Sequence, residues 1–397
     1  MNRFRISTPE GTRDLLFSSC RALRQTENAV RDALEERGYS EIITPAVEYF
    51  DVFAQANPEL DQDQMLKIID KSGRICVARP DNTTPIARIA ATRLDDAALP
   101  VRLYYSQKVF RSVSGDHGHK GEFLQVGAEF IGADGLEADK DILSAAFAAL
   151  SKTGADNFRV ELGHAEIYKA LMDELGADAQ SAEGIRRLIE NKSFAALGDA
   201  LEPFKGKPAA KALSAMPNLF GGIEVLDEVE SLTGNVRVLG ATAYLRRLYQ
   251  ALDEAGYGDR IMIDLGLVHE MDYYTGIMFR GYIGGAGQAV LSGGRYDHLL
   301  ADFGMDAAAI GFGVSVDQLA EVMLKQNPLF YSTLDLVYAD LAEMPAAFQW
   351  MSARKMCAEW SLADSLEGAI AEAKERGIPT VIHYHNDHAE WLEVDNA

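Results

Sequence analysis

The sequence predicts an α+β fold in which strands and helices flank a helical insertion, with a small α/β unit at the C-terminus. Three observations carry that expectation. Apolar runs at strand spacing alternate with helical periodicities over the first 160 or so residues. From His164 to about Tyr257 the texture changes to Ala, Leu, Glu and Lys, broken by Pro203, Pro208 and Pro217, which reads as an insertion over about 165–258. Strand character then returns, and Lys325-Gln326-Asn327-Pro328 is the linker between a domain of residues 1–324 and a smaller one of residues 329–397.

The elements follow in order. A helix is expected over residues 18–37, where Leu23, Val30, Ala33 and Leu34 recur at helical spacing and Gly38 is placed to stop it. Glu41-Ile42-Ile43-Thr44 reads as a strand ended by Pro45. A helical stretch near 52–56 and strands at 65–69 and 74–78 come next. Thr84-Pro85 opens a helix to Leu94, because proline's missing N–H is harmless in a first turn. Strands at 101–110 and 123–132 flank a polar loop, residues 139–152 form an alanine-rich helix, and residues 158–163 form a strand. After the insertion come strands at 260–268, 276–282 and 289–291 and a helix over 314–324. The last unit is expected to hold strands at 334–338 and 379–384 with helices between them.

Charge and cysteine usage narrow the function. Thirty-eight Lys and Arg against 60 Asp and Glu give a formal charge of −22, which repels nucleic-acid phosphates, and no Lys/Arg-rich run offsets it. Cys20, Cys76 and Cys357 are too few and too scattered for a disulfide framework or a zinc motif, and Cys76 sits in an apolar run suited to burial. The first ten residues lack a signal-peptide core, and no stretch reaches the roughly 18 apolar residues of a membrane span. A cytoplasmic protein that binds neither tRNA nor membrane is expected.

Polar side chains suited to a small ligand fall in three segments. Along Phe123-Leu124-Gln125-Val126-Gly127-Ala128-Glu129, residues two apart share a face, so Gln125, Gly127 and Glu129 oppose Leu124, Val126 and Ala128. An inward carboxylate is costly unless it meets a cation such as an α-ammonium or imidazolium group. Arg79-Pro80-Asp81-Asn82-Thr83 ends a strand and starts a helix, where Asp81 and Thr83 suit helix capping as well as a ligand. Tyr273 and Tyr274, in Asp272-Tyr273-Tyr274-Thr275-Gly276, carry rings suited to flanking a flat ligand, or simply to packing. Ser292-Gly293-Gly294-Arg295-Tyr296-Asp297 reads as a Gly-rich loop that fits no nucleotide-binding pattern. His383, His385 and His388 read as a solvated strand end, since no carboxylate or cysteine partner is identifiable; His117 and His119 read as part of a polar loop.

In this order and spacing the segments resemble the catalytic core of histidyl-tRNA synthetases, a class II aminoacyl-tRNA synthetase family, from about Pro9 to Leu324. Motif 1 is the first helix and the strand ending at Pro45, motif 2 runs from Val109 to Glu129, and motif 3 is Gly311-Phe312-Gly313-Val314-Ser315-Val316-Asp317-Gln318-Leu319. The resemblance implies a six-stranded antiparallel sheet flanked by helices and a dimer built on motif 1. It also implies a histidine pocket of Asp81, Thr83, Arg111, Gln125, Glu129, Tyr273, Tyr274 and Tyr296.

The departures from that family concern ATP. Val113 stands where the synthetases place a glutamate, Gln318 where they place an arginine, and His269 where a second arginine acts on the adenylate. Gln supplies no charge to phosphates, and losing one such electrostatic donor costs about 10²–10³ in rate. Recognition without activation is similar to the regulatory subunits of ATP phosphoribosyltransferase. Both Thr8-Pro9-Glu10-Gly11-Thr12-Arg13-Asp14 and Arg79-Pro80-Asp81-Asn82-Thr83-Thr84-Pro85 match that family. What this resemblance implies is a non-catalytic chain with no cofactor or metal. It would assemble with a short catalytic subunit and mediate feedback inhibition by L-histidine. The alternatives are a divergent histidyl-tRNA synthetase, a histidine-adenylating enzyme, or a histidine-sensing module with another partner.

Overall fold

The computed structural model describes residues 6–56, 62–94, 96–112, 120–268, 274–328, 335–354 and 358–394. It divides into two compact units, Met1–Asp14 with Thr26–Leu319 and Leu15–Gln25 with Ala320–Ala397.

In the first unit the later turns of α1 (Phe17–Glu35) bury Val30, Ala33 and Leu34, as the helical spacing predicts. β1 (Ser40–Glu41) is shorter than expected, although Ile42 N still donates to Tyr104 O at 2.8 Å before the chain turns away at Pro45. β2 (Val47–Tyr49), α2 (Phe50–Ala56), β3 (Lys67–Ile69) and β4 (Ile75–Ala78) follow, and the three strands form a small antiparallel sheet in the order β2-β4-β3. α3 (Thr83–Arg93) starts five residues after β4 ends, and β5 (Val101–Phe110) pairs with β6 (Glu122–Ile131) over their whole length. α4 (Gly135–Lys152) buries Ala145, Ala146 and Ala149 beside Ile142, Phe147 and Leu150. Small side chains let such a helix lie close on a sheet.

β7 (Phe158–His164) leads into the insertion of α5 (Ala165–Leu175), α6 (Ala179–Glu190), α7 (Phe194–Leu201), α8 (Pro208–Ala215), β8 (Phe220–Gly221), α9 (Val225–Leu232) and α10 (Val236–Glu254). Its helices begin and end on local chemistry. Ser181 N donates to Asp178 Oδ1 at 2.9 Å to cap α6, and Gly176, at φ 65°, closes α5 in the left-handed region. β9 (Ile261–Asp264), β10 (Ile277–Ile283), β11 (Leu291–Arg295), β12 (Ala309–Ser315) and the start of α11 (Val316–Gln326) complete the unit's order.

The main sheet has nine strands in the order β1-β5-β6-β12-β11-β10-β7-β9-β8. From β5 to β7 every pair is antiparallel, giving the six-stranded core that the resemblance implies. β1 and β9 extend it by parallel pairing on β5 and β7. Two expectations need correction. Ser292-Gly293-Gly294-Arg295 lies within β11 and is not a loop, and residues 309–315, partly read as helix, are β12. Glycine lowers strand propensity, but here close packing demands it. A Cβ on Gly293 would collide with Gly311 O, and one on Gly127 with Phe312 O.

Cys76 is buried and Cys20 exposed, while Cys357 lies outside the described residues. Among the described residues no helix is long and apolar enough to cross a membrane.

The second unit contains β13 (Asp335–Tyr338), α12 (Met344–Arg354), β14 (Ala358–Trp360), α13 (Leu366–Arg376), β15 (Thr380–His385) and β16 (His388–Glu393). The sheet order is β14-β13-β15-β16, parallel except for the β15–β16 hairpin. Ala369 and Ala373 of α13 pack with Leu336, Tyr338 and Val381, while Ala347 of α12 packs with Val337, Ile382 and Tyr384. β14 and β16 were not anticipated, because both are edge strands with charged or polar residues in place of an apolar run.

One buried ion pair ties α4 to β11. Arg295 Nε donates to Asp139 Oδ1 at 3.0 Å, Arg295 NH1 to Asp297 Oδ1 at 3.0 Å, and Tyr244 OH to Asp139 Oδ2 at 2.6 Å. The Asp139 and Arg295 side chains are 1% and 7% exposed, so removing either strands a charge in the interior. Asp139→Ala is expected to destabilise the chain by about 3–5 kcal/mol in denaturant unfolding, and Asp139→Ala combined with Arg295→Met by clearly less.

Candidate functional site

The site is assembled on β6, β11 and the start of α3. As the alternation predicts, Leu124, Val126, Ala128 and Phe130 are buried on one face of β6, and Gln125, Gly127 and Glu129 occupy the other. Glu129 is 1% exposed. Thr83 Oγ1 donates to its Oε1 at 2.8 Å, and the Tyr296 hydroxyl donates to Oε2. No Lys or Arg pairs with it among the described residues. Burial pushes its pKa up to about 8; the two hydroxyls oppose the rise and the nearby Asp81 carboxylate adds to it. The carboxyl is therefore mostly protonated at neutral pH while no cation faces it.

Asp81 performs the capping that its position allows. Thr84 N donates to Asp81 Oδ1 at 2.8 Å and the Thr84 hydroxyl to Oδ2 at 3.2 Å. Burial still raises its pKa, with the Thr84 hydrogen bonds and the Arg111 charge opposing. Arg111 lies at the rim, its Nε 3.5 Å from Pro80 O and its guanidinium 5.7 Å from the centroid of Phe123.

Gln125 heads a second cluster that sequence reading missed. Asn82 Nδ2 donates to Gln125 Oε1 at 2.9 Å, and Tyr105 OH donates to the same oxygen at 3.2 Å. Tyr105 of β5 lies directly opposite Gly127, so its hydroxyl covers the glycine that seemed to leave open space. Only the β5–β6 register reveals this. Asn82 is 1% exposed, and its Oδ1 has no hydrogen-bond partner among the described residues. Such an acceptor is stabilised by a ligand donor.

Glycines make this geometry possible. A Cβ on Gly311 would collide with Glu129 Oε2, and one on Gly313 with Gln125 Nε2. A Cβ on Gly294 would lie 2.5 Å from the Tyr274 ring, so that ring packs against bare backbone. Tyr274 and Tyr296 are 7% and 3% exposed. Their segments are locked together, since Thr275 Oγ1 donates to Asp297 Oδ2 at 2.9 Å and Thr275 N to Arg295 O at 2.8 Å. The structure thus brings together Thr83, Glu129 and Tyr296, and separately Asn82, Gln125 and Tyr105, with Asp81 beside them and Arg111 at the rim. Tyr273 lies outside the described residues, as do Val113, His117, His119 and His269.

Arg79 has a structural task. Its guanidinium donates to Lys108 O at 2.7 Å and Thr44 O at 2.9 Å, stapling three chain segments. In motif 3, Asp317 holds the opening segment against β6: Arg13 NH2 donates to Oδ1 at 3.1 Å and Leu124 N to Oδ2 at 2.6 Å. Gln318 offers only an amide, with Nε2 3.4 Å from Gln288 Oε1.

A family model described as histidyl-tRNA synthetase matches residues 11–319. An ATP phosphoribosyltransferase regulatory subunit from Clostridium kluyveri is 39% identical over 355 residues, covering 88% of this chain and 90% of that protein. The crystal structure of an ATP phosphoribosyltransferase regulatory subunit/histidyl-tRNA synthetase from Bacillus halodurans superposes with a TM-score of 0.78 at 28% identity, over 93% of this chain and 96% of that one. A histidyl-tRNA synthetase from Nostoc sp. PCC 7120, 19% identical with a TM-score of 0.78 over 98% of this chain and 97% of its own, shares the fold. The chain belongs to the ATP phosphoribosyltransferase regulatory subunit family, built on the histidyl-tRNA synthetase fold.

Proposed function

We propose that this chain is a non-catalytic regulatory subunit that binds free L-histidine in the β6 site and carries that signal to a short ATP phosphoribosyltransferase catalytic subunit. In this reading it supports the first step of histidine biosynthesis and its feedback inhibition. The observation that carries the reading is Glu129, a buried carboxyl lacking a cationic partner among the described residues. The α-ammonium or imidazolium of histidine supplies the missing charge, Arg111 meets its carboxylate, and Tyr274 and Tyr296 flank its ring. Gln318 supports the absence of catalysis, because it brings no cation to ATP. The net charge of −22 favours a protein partner over tRNA.

Self-association fits the surface of the small sheet. Val47, Tyr49 and Ile68, which the register places on one face of it, are 44–45% exposed, and Ile43 nearby is 76% exposed. Apolar side chains gathered in this way mark an interface.

The test of the main reading is coexpression with the catalytic subunit. The two chains are expected to copurify, with phosphoribosyltransferase activity inhibited by histidine. Pyrophosphate exchange by the isolated chain would make it an adenylating enzyme and overturn the proposal.

Glu129→Gln keeps the hydrogen-bonding shape and removes the charge, so it is expected to weaken histidine binding by about thirtyfold or more, roughly 2 kcal/mol. In the free protein Glu129 holds its proton up to about pH 8, and the unfolded chain releases it in the ordinary carboxylate range. This group's contribution to stability is therefore fully present at acid pH and is lost as pH rises towards about 8. The Gln variant is expected to escape that loss, showing a flatter profile of stability against pH. If the α-ammonium is the partner, histidine binding must strip the Glu129 proton, so affinity is expected to tighten from about pH 6 to about pH 8 with measurable proton release; a flat profile would exclude the α-ammonium as the group that Glu129 meets, because an imidazolium partner would take up that proton itself. Ile43→Glu combined with Ile68→Glu is expected to shift the protein towards monomer in sedimentation velocity.

A further inference from the structure

The hairpin of the second unit brings together side chains from its two strands. Its turn residues, Asn386 and Asp387, have φ of 49° and 56°, the left-handed conformation of a tight two-residue turn that Asn and Asp tolerate. That turn fixes the register, with His385 opposite His388 and His383 opposite Glu390. Residues two apart on a strand share a face with their cross-strand partners, so His383, His385 and Glu390 emerge on one side of the sheet. Further along that face Val381 and Leu392 pack with α13, which leaves the histidine end uncovered by that core.

The donors converge. One ligand atom from each of His383, His385 and Glu390 lies within 4.8 Å of the others, and His385 Nε2 is 3.8 Å from Glu390 Oε2. The two imidazole rings are 4.5 Å apart, tilted by 37°. Both histidines are half-buried, with Tyr338 of β13 packed 5.7 Å behind His383, while Glu390 is exposed and free to swing. The Asn386 amide is 3.3 Å from His385 Nδ1, which leaves the outer nitrogen turned towards the carboxylate. The atom placed there is Nδ2, a donor; turning the amide over brings Oδ1 into position to accept a hydrogen bond from Nδ1–H once the outer nitrogen is metallated.

We propose that His383, His385 and Glu390 form a site for a divalent transition-metal ion of the zinc class. Two imidazoles and one carboxylate are a borderline donor set that suits zinc, cobalt or nickel, whereas magnesium and calcium demand oxygen ligands. Three protein donors leave one position for water. Tetrahedral coordination at about 2.0–2.1 Å requires the donors to draw in to about 3.3 Å of one another, a movement within the side-chain freedom of the exposed Glu390. The bound ion cross-links the two strands close to their turn. Carboxylate and histidine come from different strands, and it is the register that makes the cluster more than a solvated pair of histidines.

The test uses the full-length chain stripped with a chelator and titrated with cobalt(II), then zinc(II). One saturable equivalent per chain is expected, with the intense visible absorption of four-coordinate cobalt, displaced by zinc and unaffected by magnesium. His385→Asn and Glu390→Gln are each expected to weaken binding by about tenfold or more, with far-ultraviolet circular dichroism of the metal-free variants unchanged. No saturable equivalent in the wild-type chain would overturn the site. So would unchanged binding in either variant, since loss through His385 alone describes a surface histidine and not a three-donor site.

Discussion

A carboxyl group buried on a central strand is expensive, and the arrangement around Glu129 is organised by that cost. Thr83 at the start of α3 and Tyr296 just beyond β11 both donate to it, so three chain segments converge on two oxygen atoms. Gly311 gives the carboxyl room from the neighbouring strand, and Gly313 does the same for Gln125. Two hydroxyls only partly replace a counter-ion, and the group holds its proton to about pH 8. In the proposed reading a cationic ligand converts this state into an ion pair, and the site selects a positively charged guest.

The same balance of charges underlies the proposal that this chain does not catalyse. An amino-acid pocket and an ATP grip are distinct sets of charges on one sheet. Here Asp81, Thr83, Arg111, Gln125 and Glu129 stand at the positions that the resemblance marks for histidine, while Gln318 stands where it marks a cation for phosphates. A pocket that binds without activating is free to act as a sensor, provided that its ligand favours one state of an assembly over another. Coupling of about 1–3 kcal/mol suffices for graded inhibition.

Much of this was legible in the residues. Strict alternation along β6 placed Gln125 and Glu129 on one face, and Val101–Phe110 was anticipated to the residue. What escaped was information carried by register and by close approach. Tyr105 joins the site because it sits opposite Gly127, a pairing no local pattern displays. Gly293 and Gly294 looked like a loop because glycine's strand penalty is visible in sequence and its packing necessity is not. His383 and His385 seemed to lack a carboxylate for the same reason, since Glu390 reaches them only across the hairpin. The resemblance to histidyl-tRNA synthetases implied the six antiparallel strands, whereas the parallel strands β1 and β9 that extend them depend on tertiary pairing.

The most direct measurement is a calorimetric titration of the purified chain with L-histidine, repeated in the presence of magnesium-ATP. The account expects saturable binding with one histidine per β6 site and an isotherm that ATP leaves unchanged. Absence of histidine binding, or ATP-dependent heat accompanied by pyrophosphate release, would contradict it.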